Sequence, residues 1–390
     1  MPYGIVPEHR LANSAYNQKI FIMYLTQEAK EKVLLVGVHF PYEEKWEKID
    51  SLEELKNLSK TAGVIVVEKI LQNLQRPNSM SFIGKGKAQE LRAISSSLNI
   101  DTLIFDEELS PSQVANLESI TGRKVIDRTE LILDIFAQHA HTKSAQIEVE
   151  LTQLLYRLPR LTGKGIALSR LGGGIGTRGP GETKLETDRR RIRARVRTLK
   201  KELKKIEKAR EVQSKRRKGQ RRIAIVGYTN AGKTSIMNVL THAGLKIDNQ
   251  LFSTLDATTR VFILDDGMKY LITDTVGFIR RLPHGLISSF HSTLEEAVIA
   301  DLRLHVVDVS HPYVELQISA GNEILEALSV AKEQSIYVFN KIDLAQDEVG
   351  YLKRRFPNSV FTSAANGEGI EALKEMIKRF YDGLQLTIDD

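Results

Sequence analysis

Cysteine is absent from this 390-residue chain, which excludes disulfides, thiolate zinc sites and cysteine nucleophiles and agrees with a reducing compartment. Long apolar runs are missing too. None approaches the roughly 18 residues that a membrane span requires, and the start, MPYGIVPEHRLANSAYNQ, has no signal-peptide apolar region. The expected location is the cytosol, with association at an anionic membrane surface kept as an alternative. What remains is ordinary for globular proteins, 42% hydrophobic and 27% charged, and the length suggests two or three domains, each with a core of its own.

The net charge of +7 is concentrated in one place. From Lys184 to Arg222 there are 19 Lys and Arg against 5 Asp and Glu, so the rest of the chain is net negative. A block this basic on one element reads as a polyanion contact, nucleic acid before membrane.

The chain is organised around RIAIVGYTNAGKTS, Arg222 to Ser235. A β-branched run stops at Gly227 and the spacing G-x-x-x-x-G-K-T closes at Gly232, Lys233 and Thr234. A buried strand, a loop of inward N–H groups and the positive end of a helix together cradle a phosphate. Residues Gly227, Tyr228, Thr229, Asn230, Ala231, Gly232, Lys233, Thr234 and Ser235 are therefore the expected nucleotide loop. Lys233 would reach the β- and γ-phosphates, and the Thr234 hydroxyl would ligate Mg²⁺.

Downstream segments follow in the order a GTPase requires. Leu251 to Thr259 is a polar loop from which Thr254, ahead of Thr258 and Thr259, would close on Mg²⁺ and the γ-phosphate. Val261–Leu264 and Tyr270–Ile272 read as a hairpin delivering Asp274-Thr-Val-Gly277, the aspartate holding Mg²⁺ through water and Gly277 offering its N–H. Lys233, Thr254 and Gly277 are the expected catalytic set. Leu304–Asp308 and Ile336–Phe339 read as further strands, the second ending in Asn340, Lys341, Ile342 and Asp343. A carboxylate at Asp343 accepts from both guanine N1–H and the exocyclic amine, whereas adenine leaves it unpaired at about 1–3 kcal/mol or more. Ser363 and Ala364 would back the base. Phe278 stands where a water-orienting glutamine is common, so unaided hydrolysis should be slow. Arg280, Arg281, His284 and His291 are weaker candidates for transition-state charge or water.

Ahead of the loop, strands Val33–Val38, Val64–Val67 and Thr102–Phe105 alternate with helices Ser51–Lys60, Gly86–Leu98 and Pro111–Ile120, an arrangement of a small parallel α/β domain. Lys85 and Lys87 in IGKGK invite a second nucleotide site but lack the full spacing. Ile147, Leu151, Leu154, Leu155 and Leu158, then Leu185, Ile192, Val196, Leu199, Leu203 and Ile206, form two apolar stripes of a helical hairpin. Its connection, residues 163–181, holds eight glycines in nineteen residues with Lys164, Arg170 and Arg178 among them. Those residues, with Arg189, Arg190 and Arg191, are the expected RNA contacts. Without aromatic residues in that loop, they would work by shape and phosphate rather than base stacking.

The segment LSRLGGGIGTRGPGETKLETDRRRIR, with DRTELILDIFAQHAHT and the GTPase motifs, resembles the HflX family of translation-factor-like GTPases over nearly the whole chain. The resemblance implies an α/β P-loop GTPase domain (221–390, ending in a helix and short tail). Before it come an N-terminal α/β domain (1–142), a basic hairpin (143–213) and a linker (214–220). The sequence leaves the oligomeric state open, with a monomer expected; Mg²⁺ is the expected cofactor, and K⁺ is a further candidate at Asn230, a position where some related GTPases bind it. By the resemblance, the chain's partners would be GTP, GDP, the large ribosomal subunit and its rRNA, and it would separate stalled or idle ribosomes. Competing readings are an ATP-driven RNA-remodelling enzyme using the N-terminal domain, and a GTP-dependent module docking on membrane or acidic protein.

Overall fold

The computed structural model describes residues 30–161, 180–216, 220–242, 244–245, 251–252, 257–264, 267–280, 291–330 and 334–388. Strand and helix alternate at first, as β1 (Lys32–His39), α1 (Lys45–Thr61), β2 (Ile65–Asn73), α2 (Lys85–Ser97), β3 (Thr102–Phe105), α3 (Pro111–Thr121), β4 (Lys124–Asp127) and α4 (Arg128–His139). The four strands form a parallel sheet in the order β2-β1-β3-β4. Alternation along β1 feeds two cores. Val33 and Leu35 pack with Leu52, Leu55 and Leu58 of α1 and Phe136 of α4, while Leu34, Val36 and Val38 pack with Leu91 and Leu117 on the other face.

Helix α1 begins six residues before the expected Ser51. That serine lies inside the helix, where its hydroxyl donates to buried Asp106 at 2.8 Å instead of capping. At α3 the local signal is sufficient: Pro111 opens the helix and Ser110 and Gln113 form a reciprocal capping box. Lys85 and Lys87 open α2 behind Gly84, and Lys87 pairs with Glu90 at 2.7 Å.

Two long helices follow, α5 (Lys143–Arg160) and α6 (Pro180–Arg216). The 37 residues of α6 span about 55 Å at 1.5 Å per residue. Ile147 and Leu151 of α5 meet Val196 and Leu199 of α6, with Leu154, Ile192, Leu203 and Ile206 beside them, and Glu150 pairs with Arg195 at 2.7 Å. Leu155 turns away from this seam and is exposed. Helix α5 is also rooted in the first domain: Ala145 and Val149 join its core, and Tyr156 and Arg160 both reach Asp127. The hairpin is therefore anchored to the N-terminal domain. Most of the glycine-rich connection, with Lys164, Arg170 and Arg178, lies outside the described residues, as do Thr254, Arg281 and His284.

The last unit comprises β5 (Arg221–Gly227), α7 (Lys233–Thr241), β6 (Thr258–Ile263), β7 (Lys269–Asp274), α8 (His291–Ile299), β8 (Leu302–Asp308), α9 (Val314–Ala327), β9 (Ser335–Asn340), α10 (Gln346–Arg355), β10 (Ser359–Phe361) and α11 (Ile370–Ile388). Its sheet runs β10-β9-β8-β5-β7-β6, parallel except for β6 against β7. The phosphate-binding sequence thus leaves a central strand at its carboxyl end, the usual ligand edge of an open α/β sheet. Among the described residues no helix is long and apolar enough to cross a membrane.

Candidate functional site

Strand β5 is buried from Ile223 to Gly227 and hands the chain to α7 through the expected loop. Three backbone positions in that loop have positive φ, Gly227 at 140°, Asn230 at 62° and Gly232 at 93°. A Cβ at 232 would lie 2.2 Å from Asn340 Nδ2, so glycine is required there for contact as well as conformation. Lys233 is buried and its ammonium donates to the Tyr228 carbonyl at 2.9 Å. Burial lowers its pKa to about 8, with Asp274 opposing the shift. A buried cation with a destabilised charge gains strongly from an arriving phosphate.

Thr234 and Asp274, forty residues apart, meet at 2.7 Å where the hydroxyl donates to the carboxylate. The pair is an all-oxygen donor set at the mouth of the loop, which fits Mg²⁺. Asp274 ends β7, and three residues on Gly277 backs onto the loop: a Cβ there would lie 2.7 Å from Thr229 Cγ2 and 2.9 Å from Lys233 Nζ. Phe278 clamps this approach with two backbone bonds, its N–H donating to Gly227 O at 2.9 Å and its carbonyl accepting from Thr229 N–H at 2.8 Å. Thr258 and Thr259 lie in β6, and Thr259 shares a 2.9 Å hydroxyl contact with Thr273.

The base-side residues converge as well. Asn340 Nδ2 donates to Ala231 O at 2.9 Å, and Asn340 Oδ1 accepts from Ala364 N–H at 3.0 Å. Lys341, at φ 66°, pairs through Nζ with Asp308 at 2.6 Å. Ser363 is fully buried, whereas Asp343 stands exposed. Ser235 is half-buried in the first turn of α7. On α6, Arg190, Arg191, Arg193, Arg195 and Arg197 are exposed and Arg189 is half-buried; Arg190 also reaches Glu186 at 3.5 Å.

Sequence reasoning missed the contact between the two α/β units. Phe252, Val276 and Ile279, from the two segments flanking the phosphate site, are buried in the core formed with Leu52, Leu55 and Phe136. Above that core, the Tyr228 hydroxyl bonds Glu54 of α1 and accepts from Arg280 N–H at 2.9 Å. Arg280 itself pairs with Asp50 at 2.8 Å instead of facing the phosphates or solvent. Arg128 binds both Glu54 and Asp106, and Lys48 binds Asp106 and Glu107. Burial raises the Asp106 pKa, but Arg128 and Lys48 outweigh it and hold the carboxyl far below its ordinary range. Trp46 stacks on Tyr313 with ring centroids 4.3 Å apart. A cavity of about 150 Å³ remains between Asp50, Glu54, Asn230 and Gln317. Only pairs distant in sequence make this contact, so no local pattern announces it.

Residues 49–137 match the family described as GTP-binding GTPase N-terminal, residues 139–217 the GTP-binding GTPase Middle Region, and residues 222–341 the 50S ribosome-binding GTPase. A GTPase HflX from Caldanaerobacter subterraneus subsp. tengcongensis is 46% identical over 352 residues, covering 90% of this chain and 80% of its own length. The GTPase HflX of Escherichia coli is 39% identical over 366 residues, 93% of this chain and 85% of the relative. The crystal structure of the complex of SsGBP and GDP covers 91% of this chain and 99% of its own at 26% identity, with a TM-score of 0.51.

Proposed function

Since the chain belongs to the HflX family of GTPases, we propose that it hydrolyses GTP on the large ribosomal subunit, gripping rRNA with its basic hairpin, and that its physiological work is the separation of stalled or idle ribosomes. The observation that carries the ribosomal reading is the exposed arginine face of α6 on a hairpin rooted in the domain that packs against the segments flanking the phosphate site. Binding at one end then bears on the nucleotide at the other.

In this reading Gly227 to Ser235 cradle the phosphates, and Lys233 neutralises charge that grows toward the transition state. Mg²⁺, when held by Thr234, by Thr254 and through water by Asp274, supplies further neutralisation of the β- and γ-oxygens. Gly277 donates its N–H to the γ-phosphate. Asn340 braces the loop, Lys341 flanks the base, Asp343 reads guanine, and Ser363 and Ala364 support it. Asn230 is the proposed K⁺ contact. Phe278 cannot orient water, so the ribosome completes the catalytic arrangement. Loss of the γ-phosphate releases Thr254 and Gly277, loosens the packing of Phe252, Val276 and Ile279 on the N-terminal domain, and frees the hairpin.

Changing Arg189, Arg190 and Arg191 to Ala tests the grip. Sedimentation with purified large subunits should show weaker binding and a salt slope reduced by about 2 to 3, near 0.9 for each phosphate no longer neutralised. Unchanged affinity and slope would remove the hairpin from the interface. Flotation with anionic vesicles tests the membrane alternative, and ATP hydrolysis by a Lys233→Ala chain tests the second site at Lys85 and Lys87.

A further inference from the structure

We infer that His305 and Gly321 form a socket for the Phe278 ring that fixes where the Gly277 amide stands, so that His305 is a positioning residue for GTP hydrolysis. The inference rests on the nucleotide-site reading above. Phe278 is 3% exposed and its ring stands edge-on to His305, centroids 6.2 Å apart at 84°. Its N–H and carbonyl are both bonded to the phosphate loop, so a ring displaced from its seat must pull on the Gly277–Phe278 peptide. The seat therefore acts on the Gly277 N–H, which the proposed site assigns to the γ-phosphate.

Three observations show that the seat is built rather than incidental. Gly321 lies inside α9, where glycine weakens a helix relative to alanine. A Cβ there would fall 2.7 Å from His305 Cε1 and Nε2 and 3.4 Å from Phe278 Cδ2, so the helix gives up a side chain to admit the two rings. His305 is 1% exposed between Leu304 and Val306, yet its Nδ1 has no partner among the described residues. An apolar side chain would avoid that desolvation cost. Its ring also packs against Tyr337, centroids 5.1 Å apart, whose hydroxyl donates to Asn322 of α9 at 3.0 Å. Burial first, and the Lys233 charge second, lower its pKa to about 4; the ring stays neutral beside the catalytic lysine. His305 also precedes Val306, which pairs with Gly227 in the sheet. The socket, the loop and the Gly277 segment thus form one packed block.

The test uses the full chain with His305→Ala, Gly321→Ala and the double variant, reading GDP affinity, affinity for a non-hydrolysable GTP analogue, and single-turnover hydrolysis. Each single change should slow hydrolysis roughly tenfold and weaken the GTP analogue while GDP affinity stays within about twofold of the unaltered chain. In the double variant the alanine methyl enters space the ring has left, so Gly321→Ala should cost nothing beyond His305→Ala. Hydrolysis at the unaltered rate in both single variants would overturn the inference. So would equal weakening of GDP and GTP analogue, the signature of a merely structural role. If the unaltered chain bound neither nucleotide, the site reading itself would fail, and the two failures are distinguishable.

Discussion

Tyr228→Phe removes a single oxygen from the contact between the nucleotide loop and the N-terminal domain. That oxygen bonds Glu54 and accepts from the Arg280 amide, and the side chain carrying it is 6% exposed. Glu54 keeps Arg128, so it is not left unpaired. The Arg280 N–H loses this acceptor. A hydrogen bond to a charged group contributes about 1.5–3 kcal/mol and an orphaned buried donor costs about 1–3 kcal/mol, which with partial relaxation leaves a net of about 2 kcal/mol. The loop backbone, including the Tyr228 carbonyl that receives Lys233, is untouched. Trp46 is the single tryptophan of the chain and stacks across the same contact on Tyr313, so its emission reports the docking. In urea, with an m-value of about 1–3 kcal/mol per molar, the Trp46 transition should fall by about 1 M in the variant. A midpoint moved by less than about 0.2 M would refute the assignment of docking energy to this hydroxyl.

Lys233→Ala should abolish detectable GTP and GDP binding by calorimetry while leaving the fold intact, since the loop would lose its buried cation. Asp343→Asn should weaken GTP at least about tenfold and improve binding of xanthosine triphosphate, whose base offers an acceptor where guanine offers an amine; unaltered selectivity would place the base elsewhere. If Asn230 contacts K⁺, turnover in K⁺ exceeds that in Na⁺, and Asn230→Ala removes the difference. The His305 pKa is about 4 in the folded chain against about 6.5 unfolded. The unfolded chain therefore binds the extra proton between those values, and stability falls as pH drops from about 6.5 to 4, by about 3 kcal/mol at 1.36 per unit. His305→Leu should flatten that limb of a melting-temperature profile. Asp106 acts lower still: its depressed folded pKa stabilises above the unfolded value near 3.9 and is lost as pH falls through the folded one.

The nucleotide loop, the strands ending in Asp274 and Asn340, and the seam of α5 on α6 were legible because each rests on a local period or spacing. Ser110 and Pro111 announced α3 for the same reason. Ser51 misled because a serine before an apolar stripe looks like a cap, and what holds it, Asp106, is 55 residues away. Arg280 was read as a candidate for transition-state charge, and its partner Asp50 lies 230 residues distant. Strand β4 was overlooked because Lys124–Asp127 holds only two apolar residues between charged ones, whereas the equally short β3 is apolar at three of its four positions. Glu54, Arg128 and His305 carry no spacing signal at all, since their roles come from what the folded chain brings beside them. Phe278 was noticed as a missing glutamine, but its seat between Gly321 and His305 is a tertiary fact. The lone glycine inside the α9 sequence was the one available hint.

In the proposed function the large ribosomal subunit acts through the hairpin and N-terminal domain on the GTP site. The direct measurement is GTP turnover by the full chain with and without purified large subunits, beside the same chain carrying Arg189, Arg190 and Arg191 as alanine. Strong stimulation of the unaltered chain, much reduced in the triple variant at equal subunit concentration, is the predicted result. Absence of stimulation in both, with GTP still bound, would contradict the ribosomal reading and leave a GTPase with a different activator.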